Sequence, residues 1–224
     1  MRLSTRAWLG LAGLAFVIGA VLFVGAGTIR YWQGWVYLVL FVGASALTTL
    51  DLLKRDPALL ERRMRAGPTA EKEWTQRVIM LIASLAFLGL LVVPALDRRF
   101  GWSAVPTWVV LGGDVLVAVG FYLVARVYRE NSYTAATIEV APGQTVISTG
   151  PYAVVRHPMY SGALLYMLGT SPALGSYWGL VAFAVILAVL IWRLRDEEQV
   201  LARELPGYTD YLKRVRYRLV PRLW

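Results

Sequence analysis

The sequence predicts an all-α polytopic membrane protein, and three observations carry that prediction. Hydrophobic residues fill 58% of the 224 positions and charged residues only 17%, where a soluble domain has about 25% charged. The apolar residues gather into four runs near the roughly 20 residues that a helix needs to cross about 30 Å of hydrocarbon. Lysine and arginine are divided unevenly between the connecting segments, the pattern that sets membrane orientation. This composition, with a mean hydropathy of +0.55, excludes an ordinary globular domain and a disordered chain. The absence of cysteine excludes a disulfide framework, a zinc finger, an iron–sulfur cluster and a thiol nucleophile, and no metal site is expected.

The first run, residues 7–27, follows Met-Arg-Leu-Ser-Thr-Arg and looks like the start of a secretory signal. It is longer than a signal's apolar region and no small-x-small cleavage site follows, so it is read as a retained anchor. Three further full spans are expected at 32–53, 78–96 and 105–128. The fifth apolar region, 160–193, is too long for one span and is broken by Ser171-Pro172-Ala173-Leu174-Gly175-Ser176. It reads as a helical hairpin whose first arm, 160–170, is too short to cross alone; an arm that dips in and turns back and one that spans fully both stay open. Broken helices of this kind are tolerated where their loose backbone is buried in protein or lines a cavity. Tryptophans near the span ends (Trp8, Trp32, Trp35, Trp102, Trp108, Trp178 and Trp192) fit aromatic belts.

With the N-terminus inside, 20 of the 23 basic residues fall on the inner side, and only Arg30, Arg98 and Arg99 fall outside. The net charge of +9 is then a topology signal and not a nucleic-acid footprint. The inner segments are the 54–77 loop, the 129–158 loop and the 194–224 tail with its own helix. The 97–104 turn is too short to hold a site, so chemistry is expected on the cytoplasmic face. Two stretches form one structural domain: 1–128 with the four spans, and 129–224 with the loop, hairpin and tail.

Two constellations stand out. Arg156-His157-Pro158-Met159-Tyr160-Ser161-Gly162 holds the only histidine, at the point where loop becomes hairpin. The proline drives His157 out of helical geometry and suits the first turn of the next helix. Free N–H groups there would favour a carboxylate or phosphate; a polar cap at a membrane boundary fits the same residues. The second is Arg193-Leu194-Arg195-Asp196-Glu197-Glu198. Arg193 and Glu197 share a helix face, whereas Glu197 and Glu198 project about 100° apart, so one acid can face the bundle while the other meets solvent or an arginine. Carboxylates at a membrane exit are costly if they face lipid. A solvated helix end with intrahelical ion pairs fits as well.

Gly150-Pro151-Tyr152, the Arg-His-Pro-x-Tyr-x-Gly stretch and Glu197-Glu198 together resemble the isoprenylcysteine carboxyl methyltransferase family, whose pattern phospholipid methyltransferases share. The tail Tyr208-x-x-Tyr211 followed by Arg214-Val215-x-Tyr217-Arg218 resembles that family's ending, and the resemblance covers residues 129–224. It implies an integral-membrane enzyme that uses S-adenosylmethionine without a Rossmann domain, and the chain has no glycine-rich loop between strand and helix. By position, the resemblance makes Tyr152, His157, Pro158, Met159, Tyr160, Gly162, Glu197 and Glu198 cofactor-binding, with Asn131, Tyr208 and Tyr211 toward the acceptor. Arg193, one turn before Glu197, is the candidate for orienting the acceptor or locking that glutamate, and the two are the expected catalytic residues. The acceptor would be a carboxylate, needing no base, or an amine, with Glu130 or Glu197 as base.

Two departures mark the chain. Pro206-Gly207 stands directly against Tyr208, and Arg129-Glu130-Asn131-Ser132-Tyr133 matches the family only loosely. The short chain and compact loops look bacterial, which places the protein in an inner membrane and replaces prenylated substrates by some other lipidic or amphipathic acceptor. Two rival readings stay open: a membrane reductase using NADPH, and a non-enzymatic transporter or scaffold with Asp114 as a coupling site. Asp114 can equally pair with Arg98 or Arg99. The basic stretch 213–222 can lie on anionic lipid or wall a site.

Overall fold

The computed structural model describes residues 1–71, 73–138 and 140–224; Lys72, counted above among the inner cations, and Glu139 of the 129–158 loop lie outside them. The described residues form eight α-helices and no strand. Four are long and apolar enough to cross a membrane: α1 (Leu3–Ala26), α2 (Trp32–Arg55), α4 (Trp74–Phe100) and α5 (Thr107–Glu130). They coincide with the four predicted spans to within about four residues. The hairpin is α6 (Pro158–Ala173) and α7 (Gly179–Glu204), and the tail carries α8 (Tyr208–Arg214).

The 54–77 segment is more than a loop, because it contains α3 (Pro57–Met64). Its start signal was present in Asp56-Pro57. The Asp56 carboxylate accepts the Leu59 N–H at 2.9 Å as an N-cap, and proline takes the first helical position, where its missing N–H has no consequence.

Helix packing closes a ring in the order α1, α2, α5, α6, α7, α4 and back to α1. The closest approach is between α5 and α6. Gly113 and Gly120 on α5 face Gly169 and Gly162 on antiparallel α6, and a Cβ on Gly113 would lie 2.4 Å from the Ala173 amide nitrogen. Glycine at both surfaces lets two backbones meet, as small residues do between membrane helices.

One end of the ring is plugged by Ile18, Leu22, Tyr31, Tyr37, Leu91, Val117 and Leu174. There the Tyr31 hydroxyl donates to the Leu174 carbonyl at 2.6 Å. The buried Asp97 accepts Ser176 Oγ at 2.5 Å, Ser103 Oγ at 2.6 Å and the Ser103 N–H at 2.7 Å. These bonds decide how far the first arm of the hairpin reaches. The hairpin turn sits against the α1–α2 and α4–α5 turns, so the 16-residue α6, about 24 Å long, runs to the far end of the bundle.

Asp114 forms no pair with Arg98 or Arg99. Arg98 donates to the Arg30 carbonyl, and the Asp114 carboxylate, with no hydrogen-bond partner, lines an apolar groove beside Trp35, Val36 and Val39.

Candidate functional site

The other end of the ring is open beneath the 129–149 loop and the tail, and there the two constellations converge. Pro158 begins α6 and leaves His157 in a non-helical conformation (φ −125°, ψ 62°). The chain before the helix is held by the tail: Arg156 N–H donates to the Tyr217 carbonyl at 2.9 Å and His157 N–H to the Arg218 carbonyl at 3.0 Å.

Glu198 is the electrostatic centre of this junction. Its Oε1 accepts Arg156 at 2.9 Å and His157 Nε2 at 3.2 Å, and its Oε2 accepts Arg218 Nε at 2.9 Å. Burial works to raise the Glu198 carboxyl, but the His157 hydrogen bond and charge, with Arg218 and Arg156, hold it below the usual carboxylate range. An ionised carboxylate only accepts, so His157 carries its hydrogen on Nε2. Both oxygens have protein partners and Glu198 is not among the residues that line the cavity described below, so it holds His157 and the tail.

Glu197, one residue on, turns the other way. Its Oε2 accepts the Tyr160 hydroxyl at 2.7 Å. That hydroxyl accepts Arg193 Nε at 3.2 Å, and the same guanidinium donates to Gln76 at 2.9 Å, Glu71 at 2.7 Å and the Ala136 carbonyl at 2.8 Å. Every nitrogen of Arg193 thus has a protein acceptor, and its reach to Glu197 passes through Tyr160. Arg193 also lines the cavity described below, and it ties α7 to the start of α4 and to the 129–149 loop.

These groups line a cavity of about 780 Å³. Its polar end holds Asn131, Tyr152, Arg156, His157, Met159, Tyr160, Glu197, Tyr208 and Tyr211. Its deep end is apolar, with Phe41, Phe87, Phe121, Tyr166, Ile186 and Leu190. Phe121 stacks on Tyr166 at 5.0 Å and meets Phe41 edge-on at 5.0 Å, making an aromatic floor.

Of the predicted residues, Pro158 and Gly162 do not line this space. Pro158 starts the helix, and Gly162 gives α5 its close approach, its Cβ position lying 3.0 Å from the Gly120 carbonyl oxygen. Glu130 also stands apart. It accepts the Thr149 hydroxyl beneath Gly150 and is not among the residues that line the cavity.

Four polar side chains shape the mouth. Asn131 donates to the Tyr152 hydroxyl at 2.9 Å and accepts Tyr133 N–H at 2.9 Å, while Tyr211 donates to the Tyr152 carbonyl at 2.7 Å. The Tyr208 hydroxyl is buried with no partner among the described residues. Burial, with Glu198 and Glu197 nearby, pushes the Tyr208 phenol up, and burial takes Tyr211 to about 12. Both stay protonated donors at neutral pH. Gly207 (φ 82°) occupies the left-handed region immediately before α8, which lets the chain turn sharply enough for Tyr208 to reach the cavity.

Sequence reasoning missed Glu71 and Gln76, which belong to no motif and become visible only when Arg193 is traced to its partners. Arg156 and Arg218 were seen as parts of motifs, but not as ligands of Glu198.

Residues 108–206 match the phospholipid methyltransferase family. The chain is 38% identical over 88 residues to the Delta(14)-sterol reductase of Mus musculus, covering 38% of this chain but only 21% of that protein. It is 28% identical over 175 residues to a cobalt-zinc-cadmium resistance protein of Cupriavidus metallidurans, covering 75% of this chain and 72% of that one. Over 135 residues it is 26% identical to protein-S-isoprenylcysteine O-methyltransferase B of Arabidopsis thaliana, covering 60% and 61% respectively. The family match takes in His157, Tyr160, Glu197 and Glu198, so the residues that meet at the site lie in the part of the chain that is similar to phospholipid methyltransferases.

Proposed function

We propose that the chain uses S-adenosylmethionine to methylate a carboxylate, or an amine, of a lipidic or amphipathic acceptor, at the cytoplasmic face of a bacterial inner membrane. The observation that carries this reading is a single cavity joining a polar end built on His157, Tyr160 and Glu197 to an apolar interior walled by membrane helices.

The residues present fit such a cofactor. Among the described residues, Glu197 Oε1 accepts no hydrogen bond while Oε2 holds Tyr160, leaving one oxygen for an α-ammonium. The Tyr208 hydroxyl is a buried donor without a partner. The first-turn N–H groups of α6 suit an α-carboxylate, and the faces of Tyr152, Tyr160 and Tyr208 suit a sulfonium, by cation–π attraction of about 0.5–2 kcal/mol. When bound, the cofactor supplies an electrophilic methyl group.

The chain's own part is alignment and exclusion of water. Residues 129–224 bring most of the polar groups, and the spans of 1–128 share the apolar walls with α6 and α7, where a tail can lie with its reactive head toward Glu197. Alignment in a dry pocket is the main lever for an in-line displacement. A carboxylate acceptor needs no base; for an amine, Glu197 is the acid placed to take the proton.

Titration of the detergent-solubilised protein with S-adenosylhomocysteine tests the reading, with NADPH as the rival ligand raised by the sterol reductase match. Micromolar binding of the former is expected. Glu197→Gln is expected to weaken it about 10- to 100-fold, the span of one hydrogen bond to a charged group. Binding of NADPH alone would replace this reading with the reductase, and binding of neither would leave the cavity without its proposed ligand.

A further inference from the structure

We propose that residues 213–223 form a strap that seats on anionic lipid headgroups, and that this seating holds the Arg156–His157 end of the site in its binding geometry. The second half rests on the cavity reading given above. Arg214, Arg216 and Arg222 are exposed, and among the described residues none is in a salt bridge. Lys213 pairs with Asp210 at 2.8 Å. Set among these cations are exposed apolar side chains: Tyr217 at 38%, Val220 at 47% and Leu223 at 80%.

The strap is fixed at a definite height on the bundle. Its one buried apolar side chain after Val215, Leu219, belongs to the core of Leu164, Ile186 and Leu194, with the Trp224 ring packed on the same cluster. Trp192, 45% exposed on α7 two residues before Leu194, puts the residue that favours headgroup depth at about the same height on the bundle. Cations and protruding apolar groups together, beside a helix flank at that depth, match an anionic lipid surface. A nucleic acid or an acidic protein would be drawn by the arginines but gives Val220 and Leu223 no reason to protrude.

The same segment is built into the site. The Tyr217 and Arg218 carbonyls accept Arg156 and His157 N–H, Arg218 Nε holds Glu198, and the Leu219 carbonyl accepts Ser161 Oγ at 2.7 Å. Lifting the strap breaks all four bonds, releasing the junction where α6 begins. Leaflet charge is therefore coupled to the site's order.

The test is hydrogen exchange of the peptide containing Arg156 and His157, with the full chain in nanodiscs of phosphatidylcholine alone or with one-third phosphatidylglycerol. S-adenosylhomocysteine titration runs in parallel. Slower exchange and tighter binding are expected in the anionic discs. Arg216→Gln with Arg222→Gln should erase the difference, at about fivefold per arginine, and Leu223→Ser should raise exchange in both lipids. Equal exchange of the unmodified chain in the two lipids overturns the proposal. Slowing in phosphatidylcholine discs by polyglutamate or an RNA oligonucleotide as strong as that by phosphatidylglycerol overturns the lipid assignment. A lipid-dependent exchange difference without S-adenosylhomocysteine binding in either disc leaves the strap standing and removes the cofactor reading.

Discussion

Glu198→Ala is expected to destabilise the protein by about 3–5 kcal/mol, the cost of breaking a buried ion pair by deleting one partner. The loss is large because three cationic or donor groups depend on one carboxylate. Arg156 is nearly as buried as Glu198, and without the acid it would face a closed site uncompensated. Arg218 and His157 would lose their anchor together. Thermal melting in detergent measures the effect.

A pH series gives an independent check. Because the folded state holds the Glu198 carboxyl below its ordinary value of about 4.5, its stabilisation is fully present above that pH. It disappears as pH falls through the lower folded-state value. The unmodified protein is expected to lose melting temperature below about pH 4.5 more steeply than Glu198→Gln, whose side chain does not titrate. Parallel acid profiles for the two would show that Glu198 does not hold the junction.

Gly120→Leu is expected to separate α5 from α6. A Cβ at this position would lie 2.5 Å from the Tyr166 amide nitrogen and 2.7 Å from the Gly162 carbonyl oxygen, and backbone cannot yield as a flexible side chain can. A cost of about 3 kcal/mol, at the upper end of ordinary overpacking, is expected, with loss of S-adenosylhomocysteine binding because Tyr160 and Met159 ride on α6. Gly112→Leu is the control, since nothing lies within 4 Å of its Cβ position. Equal melting temperatures for the two variants would show that the glycine contact is not needed for the helix pair.

The four spans were legible in the sequence because bilayer thickness sets their length and burial in hydrocarbon sets their composition, and both constraints act on consecutive residues. The tail helix and the first-turn role of Pro158 were legible for a similar reason, being fixed by neighbours a few positions away. How far the 16-residue α6 reaches was left open by the sequence, because the hairpin turn at its far end is secured by Asp97 on α4 and by Tyr31 and Ser103 in the neighbouring turns, which no local window contains.

The site divides along the same line. Tyr160 came only with the family resemblance, whereas residue chemistry drew attention to His157, Glu197 and Glu198, since a lone histidine before proline and paired acids at an apolar helix's end are conspicuous in one dimension. Their division of labour was not, because it depends on which direction each acid faces and what waits there. Glu198 meets Arg156, His157 and Arg218, whereas Glu197 meets the cavity and Tyr160. Glu71 and Gln76, more than a hundred residues from Arg193, had no sequence signal at all. Hydropathy, period and local turn chemistry are properties of short stretches, and the sequence by itself settled what rests on them. The closing of the ring decided the rest, by bringing charges together that only three-dimensional distance can pair.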